Sequence, residues 1–383
     1  MERTKAMADG AIHGEVQDRY AGVRAAFEHL LTSGEDVGAS YCATVGGETV
    51  VDIWGGFADA ARTRPWQRDT IINVYSTTKT MTALTALLIA DRGELDFDAP
   101  VAKYWPEFAA NGKADVKVSH LMSHAAGLSG WKEKITTEDL YDWDKVTALL
   151  AAQAPFWAPG TASGYHALTQ GYLVGEVVRR ITGKSLGTVF REEIAEPLGA
   201  DFWIGLPASE DARVAELIPP PPGPRDPNAS ELMVNMWDNP GIDVSATKTR
   251  GWRGAEIPAA GGTGNARSVA EIHAILANGG VAKGKRFMSE AGCRKALELQ
   301  IEGPDLVLGL PARFGMGFGL PGVMPFPNPN SIYWGGYGGS LILIDMDART
   351  TFAYVMNKMA PTTQGDMRAL GLAMAMWTAM GAI

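Results

Sequence analysis

At 383 residues, 46% hydrophobic and 20% charged, the chain can bury a large core and has the make-up of a folded globular protein rather than a disordered or fibrous one. Its net charge of −9 is spread over scattered Asp and Glu, and no basic run exists, which argues against a nucleic-acid or anionic-membrane partner. No uninterrupted apolar stretch reaches the roughly 18 residues that a membrane helix needs.

The opening Met1-Glu2-Arg3-Thr4-Lys5 leads into polar residues without the apolar centre of a secretory signal. Residues 16–31 place Tyr20, Val23, Phe27, Leu30 and Leu31 at helical spacing and predict an amphipathic helix. Residues 40–45 and 49–54 flank Gly46-Gly47-Glu48 and predict a β-hairpin; 62–68 reads as loop. Cys42 in this hairpin and the distant Cys293 have no His or Cys at metal spacing, so buried free thiols in a reducing, cytoplasmic setting are expected.

A short apolar approach, Ile71-Ile72-Asn73-Val74, leads into Tyr75-Ser76-Thr77-Thr78-Lys79. Residues 80–90 are nearly all apolar or small and run to a Gly93 stop, which predicts a helix with Ser76 at its mouth. There Ser76 meets unpaired backbone N–H groups and the positive end of the helix dipole. Lys79 lies three residues on, on the same face. Carried into packed surroundings, its ammonium is disfavoured against the neutral amine. A neutral amine beside a hydroxyl is a nucleophile with its base. Ser-x-x-Lys is short, however, and also occurs at Ser129/Lys132 and Ser245/Lys248, where no apolar helix follows.

His120 and His124, four apart in 119–128, have the spacing of a metal pair, but no intervening Glu and no third ligand accompany them. Packed helix histidines are the expected case. Residues 140–152 predict a helix. After the turn Ala158-Pro159-Gly160, Tyr165 stands at the mouth of another helix, with Leu168, Tyr172, Leu173, Val177 and Ile181 in register up to Gly183. Spacing alone favours a core tyrosine with its hydroxyl on backbone. Gly183-Lys184-Ser185-Leu186-Gly187 matches the nucleophile elbow of other hydrolases, but it follows a helix where that motif needs a strand.

The proline run 217–225, with Trp237 and Trp252 beyond it, makes 215–256 an ordered loop or flap. The glycine-rich 258–265 lacks the ending and the preceding strand of a phosphate loop. Residues 268–278 predict a helix. Residues 331–334, 341–346 and 351–356 predict strands, the last two joined by Asp347-Ala348-Arg349, and 366–380 a closing helix. Strands at both ends with helices between them imply one sheet assembled from the termini. The expected division is 1–94 with 255–383 as an α/β domain, and 95–254 as a mainly helical domain with the flap.

Three pieces stand in order: Ser76-x-x-Lys79, Tyr165, and Trp334-Gly335-Gly336 on a late strand. Together they resemble the serine β-lactamase and penicillin-binding-protein superfamily, in particular the family VIII carboxylesterases, which are similar to class C β-lactamases. The stretches 119–128 and 165–172 also look like that family. The resemblance implies an α+β fold, an antiparallel sheet flanked by helices with an inserted helical domain. It implies Ser76 as the acylated nucleophile, Lys79 as its base partner and Tyr165 in proton transfer, with no metal or organic cofactor. Backbone N–H groups of Ser76 and Tyr337 would hold the oxyanion. Trp334, Gly335, Gly336, His166, Trp237 and Trp252 would meet the substrate, a small-molecule ester that then reacts with water.

Two departures from the lactamase pattern matter. Tyr-x-Asn ends here in Ala167, and Lys-Thr-Gly is replaced by Trp334-Gly335-Gly336. A tryptophan offers no cation for a substrate carboxylate and presents apolar area instead, which favours neutral, short- to medium-chain esters. Arg250 or Arg253 in the flap could replace the missing cation. An acyltransferase, a β-lactamase, an amide or D-Ala-D-Ala peptide hydrolase, and a non-catalytic binding protein are the alternatives on the same fold.

Overall fold

Strands from the two ends of the chain meet in one six-stranded antiparallel sheet. Its order is His13–Val16, Glu48–Gly56, Gly38–Val45, Thr350–Met356, Leu341–Asp345 and Ser331–Gly335. The computed structural model describes residues 11–223, 227–322, 324–363 and 365–383; Met1–Lys5 and the end of the proline run, Pro224-Arg225, lie outside them. The central strands are buried on both faces, as a sheet covered by helices on either side must be. The helix Ala266–Ala277 lies on one face, where Thr351 Oγ1 donates to Ala270 O at 3.0 Å. On the other face Phe352 packs against Trp377 of the closing helix Met367–Met380, which in turn packs on Ala21–Thr32.

The helix Thr78–Asp91, led by a 3-10 turn at Tyr75–Thr77, is buried all round from Thr78 to Ile89. A helix apolar on every side has no solvent face to prefer. Its threonine hydroxyls are satisfied, Thr80 and Thr85 on carbonyls of the same segment and Thr82 on Pro258 O. A small sheet of Ile72–Asn73, Thr263–Gly264 and Phe202–Trp203 anchors the approach to this helix.

Three expectations are corrected. Residues 13–16 form an edge strand on Glu48–Gly56, so the first α-helix starts only at Ala21. Tyr165 is not at a helix mouth: the helix is Thr169–Thr182, and Tyr165 stands in the preceding loop. The backbone around it is engaged by tertiary partners instead, Gly164 N with His124 O, Tyr165 N with Asp305 Oδ1 and His166 N with His124 Nδ1. The short hairpin Ile301–Pro304 and Pro311–Phe314, which carries Asp305 in its loop, was not anticipated. Cys42 and Cys293 are buried and unpaired. No helix of the described residues is long and apolar enough to cross a membrane.

Candidate active site

Ser76 sits in the 3-10 turn that opens the buried helix, and is only 8% exposed. Tyr75 before it holds φ at +44°, the left-handed region a bulky residue rarely adopts. Two polar groups converge on Ser76 Oγ. Lys79 Nζ lies 3.1 Å away and the Tyr165 hydroxyl 2.5 Å away.

Lys79 is fully buried, and Nζ also donates to Ala167 O at 2.7 Å and to Ala259 O at 3.0 Å. Burial holds its amine well below the usual lysine range. A neutral amine has two N–H donors and one lone pair. With the N–H groups on the two carbonyls, the lone pair is left for Ser76. Burial also pushes the Tyr165 phenol above its ordinary value, although the contact with Ser76 opposes this. Both shifts favour the uncharged forms, amine and phenol.

Tyr165 is held from behind by His124. His124, at φ +61°, packs on the Tyr165 ring at 5.1 Å, and burial keeps its imidazole neutral. His166 is fully buried and its pKa is pressed down to about 3, mainly by burial. Its Nε2 accepts from Leu128 N at 3.1 Å, so it serves the backbone and not the cleft. His120 is part of neither contact, and among the described residues no three His, Cys, Asp or Glu gather as a metal would need.

The cleft over Ser76 is walled by Tyr75, Leu168, Met236, Trp237, Ile242 and Tyr337. None of the described residues lining it is charged. Trp237, 45% exposed, stands at the mouth, its ring edge-on to Tyr337 at 5.6 Å. The other expected contacts are corrected. Trp252 is fully buried beneath Tyr75 and donates Nε1 to Asn73 Oδ1 at 2.8 Å. Trp334 is buried too, stacked on His124 at 5.3 Å. Its indole N–H makes no full hydrogen bond, yet lies near enough to the Tyr165 hydroxyl to favour the ionised phenol.

Gly335 and Gly336 are buried as well. A Cβ on Gly336 would come within 2.2 Å of Val74 O, so the glycine admits the turn of Ser76 itself, not a ligand. Ser340 Oγ ties the two turns together, 2.9 Å from Thr77 Oγ1 and donating to Val74 O at 3.0 Å. This brings Tyr337 to the cleft wall with its N–H free of any partner among the described residues.

Rival sites dissolve on inspection. Ser185 caps a helix and donates to Glu256 Oε1 at 2.6 Å. Ser129 is buried away from Lys132, which lies over Phe156, and Lys248 pairs with Glu216. Arg250 and Arg253 face Asp211 at 2.5 and 3.5 Å rather than the cleft.

The β-lactamase family profile matches residues 23–375 of this chain. The chain belongs to the β-lactamase family. Among relatives, "Esterase/beta-lactamase LipL" of Mycobacterium tuberculosis is 36% identical over 368 residues, 91% of this chain and 83% of its own length. Among solved structures, a family VIII carboxylesterase is 45% identical with a TM-score of 0.92, covering 96% of this chain and all of its own. A penicillin-binding protein homologue from Caulobacter crescentus is 39% identical with a TM-score of 0.91, at the same coverage. The serine β-lactamase-like fold and the family VIII resemblance expected from the motifs are therefore those of this chain. Asp305 and His124, which hold Tyr165 in place, were missed; no spacing rule flags a residue that acts through backbone contacts.

Proposed function

We propose that this protein is a serine carboxylesterase that hydrolyses short- to medium-chain acyl esters through an acyl-enzyme on Ser76. The observation that carries it is the convergence of a buried amine and a buried phenol on one hydroxyl, at the floor of an uncharged apolar cleft. In this reading Lys79 takes the Ser76 proton as Oγ bonds to the substrate carbonyl carbon. The carbonyl oxygen becomes an oxyanion facing the N–H groups of Ser76 and Tyr337, donors worth a few kcal/mol each when pre-oriented. As the C–O bond to the alcohol breaks, Tyr165 protonates the departing alkoxide and regains its proton from the Lys79 ammonium, both groups facing Ser76 Oγ. Water then repeats the sequence on the acyl-enzyme and returns Ser76.

The same reading divides the chain into 1–94 with 255–383 and 95–254, and places the protein in the cytoplasm. Lactam hydrolysis is the second activity to test, because LipL and the Caulobacter homologue carry lactamase and penicillin-binding descriptions. A panel of p-nitrophenyl esters graded by acyl length, with nitrocefin and a D-Ala-D-Ala peptide, separates the readings. Ester turnover with fluorophosphonate labelling at Ser76 supports an esterase; turnover of nitrocefin or peptide alone refutes it.

A further inference from the structure

Arg368, on the first turn of the closing helix Met367–Met380, is 8% exposed and joins three segments that are far apart in sequence. Its Nη1 donates to Asp36 Oδ1 at 2.6 Å and to Lys358 O at 2.8 Å. Its Nη2 donates to Gly338 O at 2.9 Å and to Asp366 Oδ2 at 2.6 Å. Asp36 is itself buried and also accepts from the Tyr354 hydroxyl at 2.6 Å.

The Gly338 carbonyl belongs to the turn that carries Tyr337. Gly338 and Gly339 stand at φ +99° and +128°, and a Cβ on Gly339 would meet Asp366 Oδ2 at 2.5 Å and Arg368 Nη2 at 2.7 Å. The turn therefore rests directly on the ion pair. Its other N–H groups are engaged: Gly336 with Ser340 O at 2.8 Å, Gly338 with Thr362 O at 2.9 Å, Gly339 with Gly336 O at 3.1 Å. A run of glycines has the widest conformational freedom of any sequence, so such a turn keeps one direction only when tied from outside. A donor aimed at a developing oxyanion works only when its orientation is set beforehand.

We infer that Arg368 is a positioning residue for catalysis: through Gly338 it fixes the direction of the Tyr337 N–H toward the oxyanion. The proposal rests on the reading that Tyr337 N–H is an oxyanion donor. The Thr77–Ser340 contact holds the same turn from the nucleophile's side, so the donor is clamped between two supports.

The test uses the full chain with R368A and R368K, measured at a temperature where thermal melts show each folded. R368A should lower kcat for p-nitrophenyl butyrate about 10- to 100-fold, as for a displaced donor and less than the roughly 10²- to 10³-fold of one lost outright. KM should move less than about twofold, because the ground-state ester does not use that donor. R368K, which keeps the charge, should recover part of the loss, and it serves alone if R368A does not fold. A 13C-carbonyl trifluoromethyl ketone supplies the readout that a purely structural role would not move. Its hemiketal carbon shift should report an oxyanion at neutral pH in the wild type and a neutral hydroxyl in the variants. Folded variants with wild-type kcat and an ionised hemiketal overturn the clamp. A wild-type hemiketal that is already neutral overturns instead the oxyanion reading beneath it.

Discussion

Replacing Lys79 by methionine keeps an unbranched side chain in the packed site and removes the amine. Nζ is fully buried, with Ser76 Oγ at 3.1 Å and the Ala167 and Ala259 carbonyls at 2.7 and 3.0 Å. Both carbonyls would lose a donor. Each loss costs about 1–3 kcal/mol, about 2–6 kcal/mol together, and below pH 10.5 this is offset because methionine needs no deprotonation on burial. Loss of a positioned general base costs about 10²- to 10⁴-fold in rate, which is about 2.7–5.4 kcal/mol of barrier.

The pH dependence separates this from mere damage to the site. Burial lowers the folded-state pKa of Lys79 well below 10.5, so on falling pH the amine protonates and the base is lost. Wild-type kcat/KM should rise with pH through that depressed value, and the variant's residual rate should lack this limb. Between the folded pKa and 10.5 the unfolded chain holds a proton that the folded chain lacks. Wild-type stability should therefore rise with pH over that range, while Lys79→Met should not share the slope. Steady-state hydrolysis of p-nitrophenyl butyrate and urea melts from pH 5 to 10 measure both. A variant within about threefold of wild-type kcat, or one keeping the acid limb unmoved, refutes a neutral-amine base.

Ser76→Ala should reduce ester turnover about 10⁴-fold or more with the melt unchanged, whereas Ser185→Ala should cost about 1 kcal/mol of stability through its lost helix cap and leave kcat alone. Tyr165→Phe combined with Lys79→Met should be little slower than the worse single variant, since both act on one proton path; multiplicative losses in single-turnover rates would assign them to separate steps. In the uncharged cleft, each added methylene should contribute about 0.8 kcal/mol until the pocket fills, so kcat/KM for acetate to hexanoate esters should exceed that for cephalosporins about 100-fold. Arg250→Ala and Arg253→Ala should leave that ratio unchanged, because both arginines face Asp211; a collapse of nitrocefin turnover in either would contradict this. Trp334→Phe should lower kcat a few-fold in the steady-state ester assay, since a donor near the Tyr165 phenol is removed.

Much of the site's composition was legible because its decisive relation is local. Ser76 and Lys79 share a face by helix geometry alone, and the nearly all apolar or small segment after them reads as a packed helix, whose burial favours the neutral amine. The order of Ser76, Lys79, Tyr165 and the Trp334 strand carried the family, and short strand runs bounded by turns near both termini carried the sheet. Which tryptophan meets solvent was not legible. Trp237 and Trp252 lie in the same kind of flap sequence, yet one stands at the cleft mouth and the other under Tyr75 on Asn73. Nor could spacing place Tyr165: its loop is drawn out of a helix by Asp305, 140 residues away, and by His124. Periodicity reports which face of one element is apolar, because neighbours along a helix or strand are fixed by its geometry. It is silent on which distant backbone group that face will meet. Those contacts, including the Arg368 support beneath Tyr337, were decided only when segments from both ends of the chain closed into one sheet.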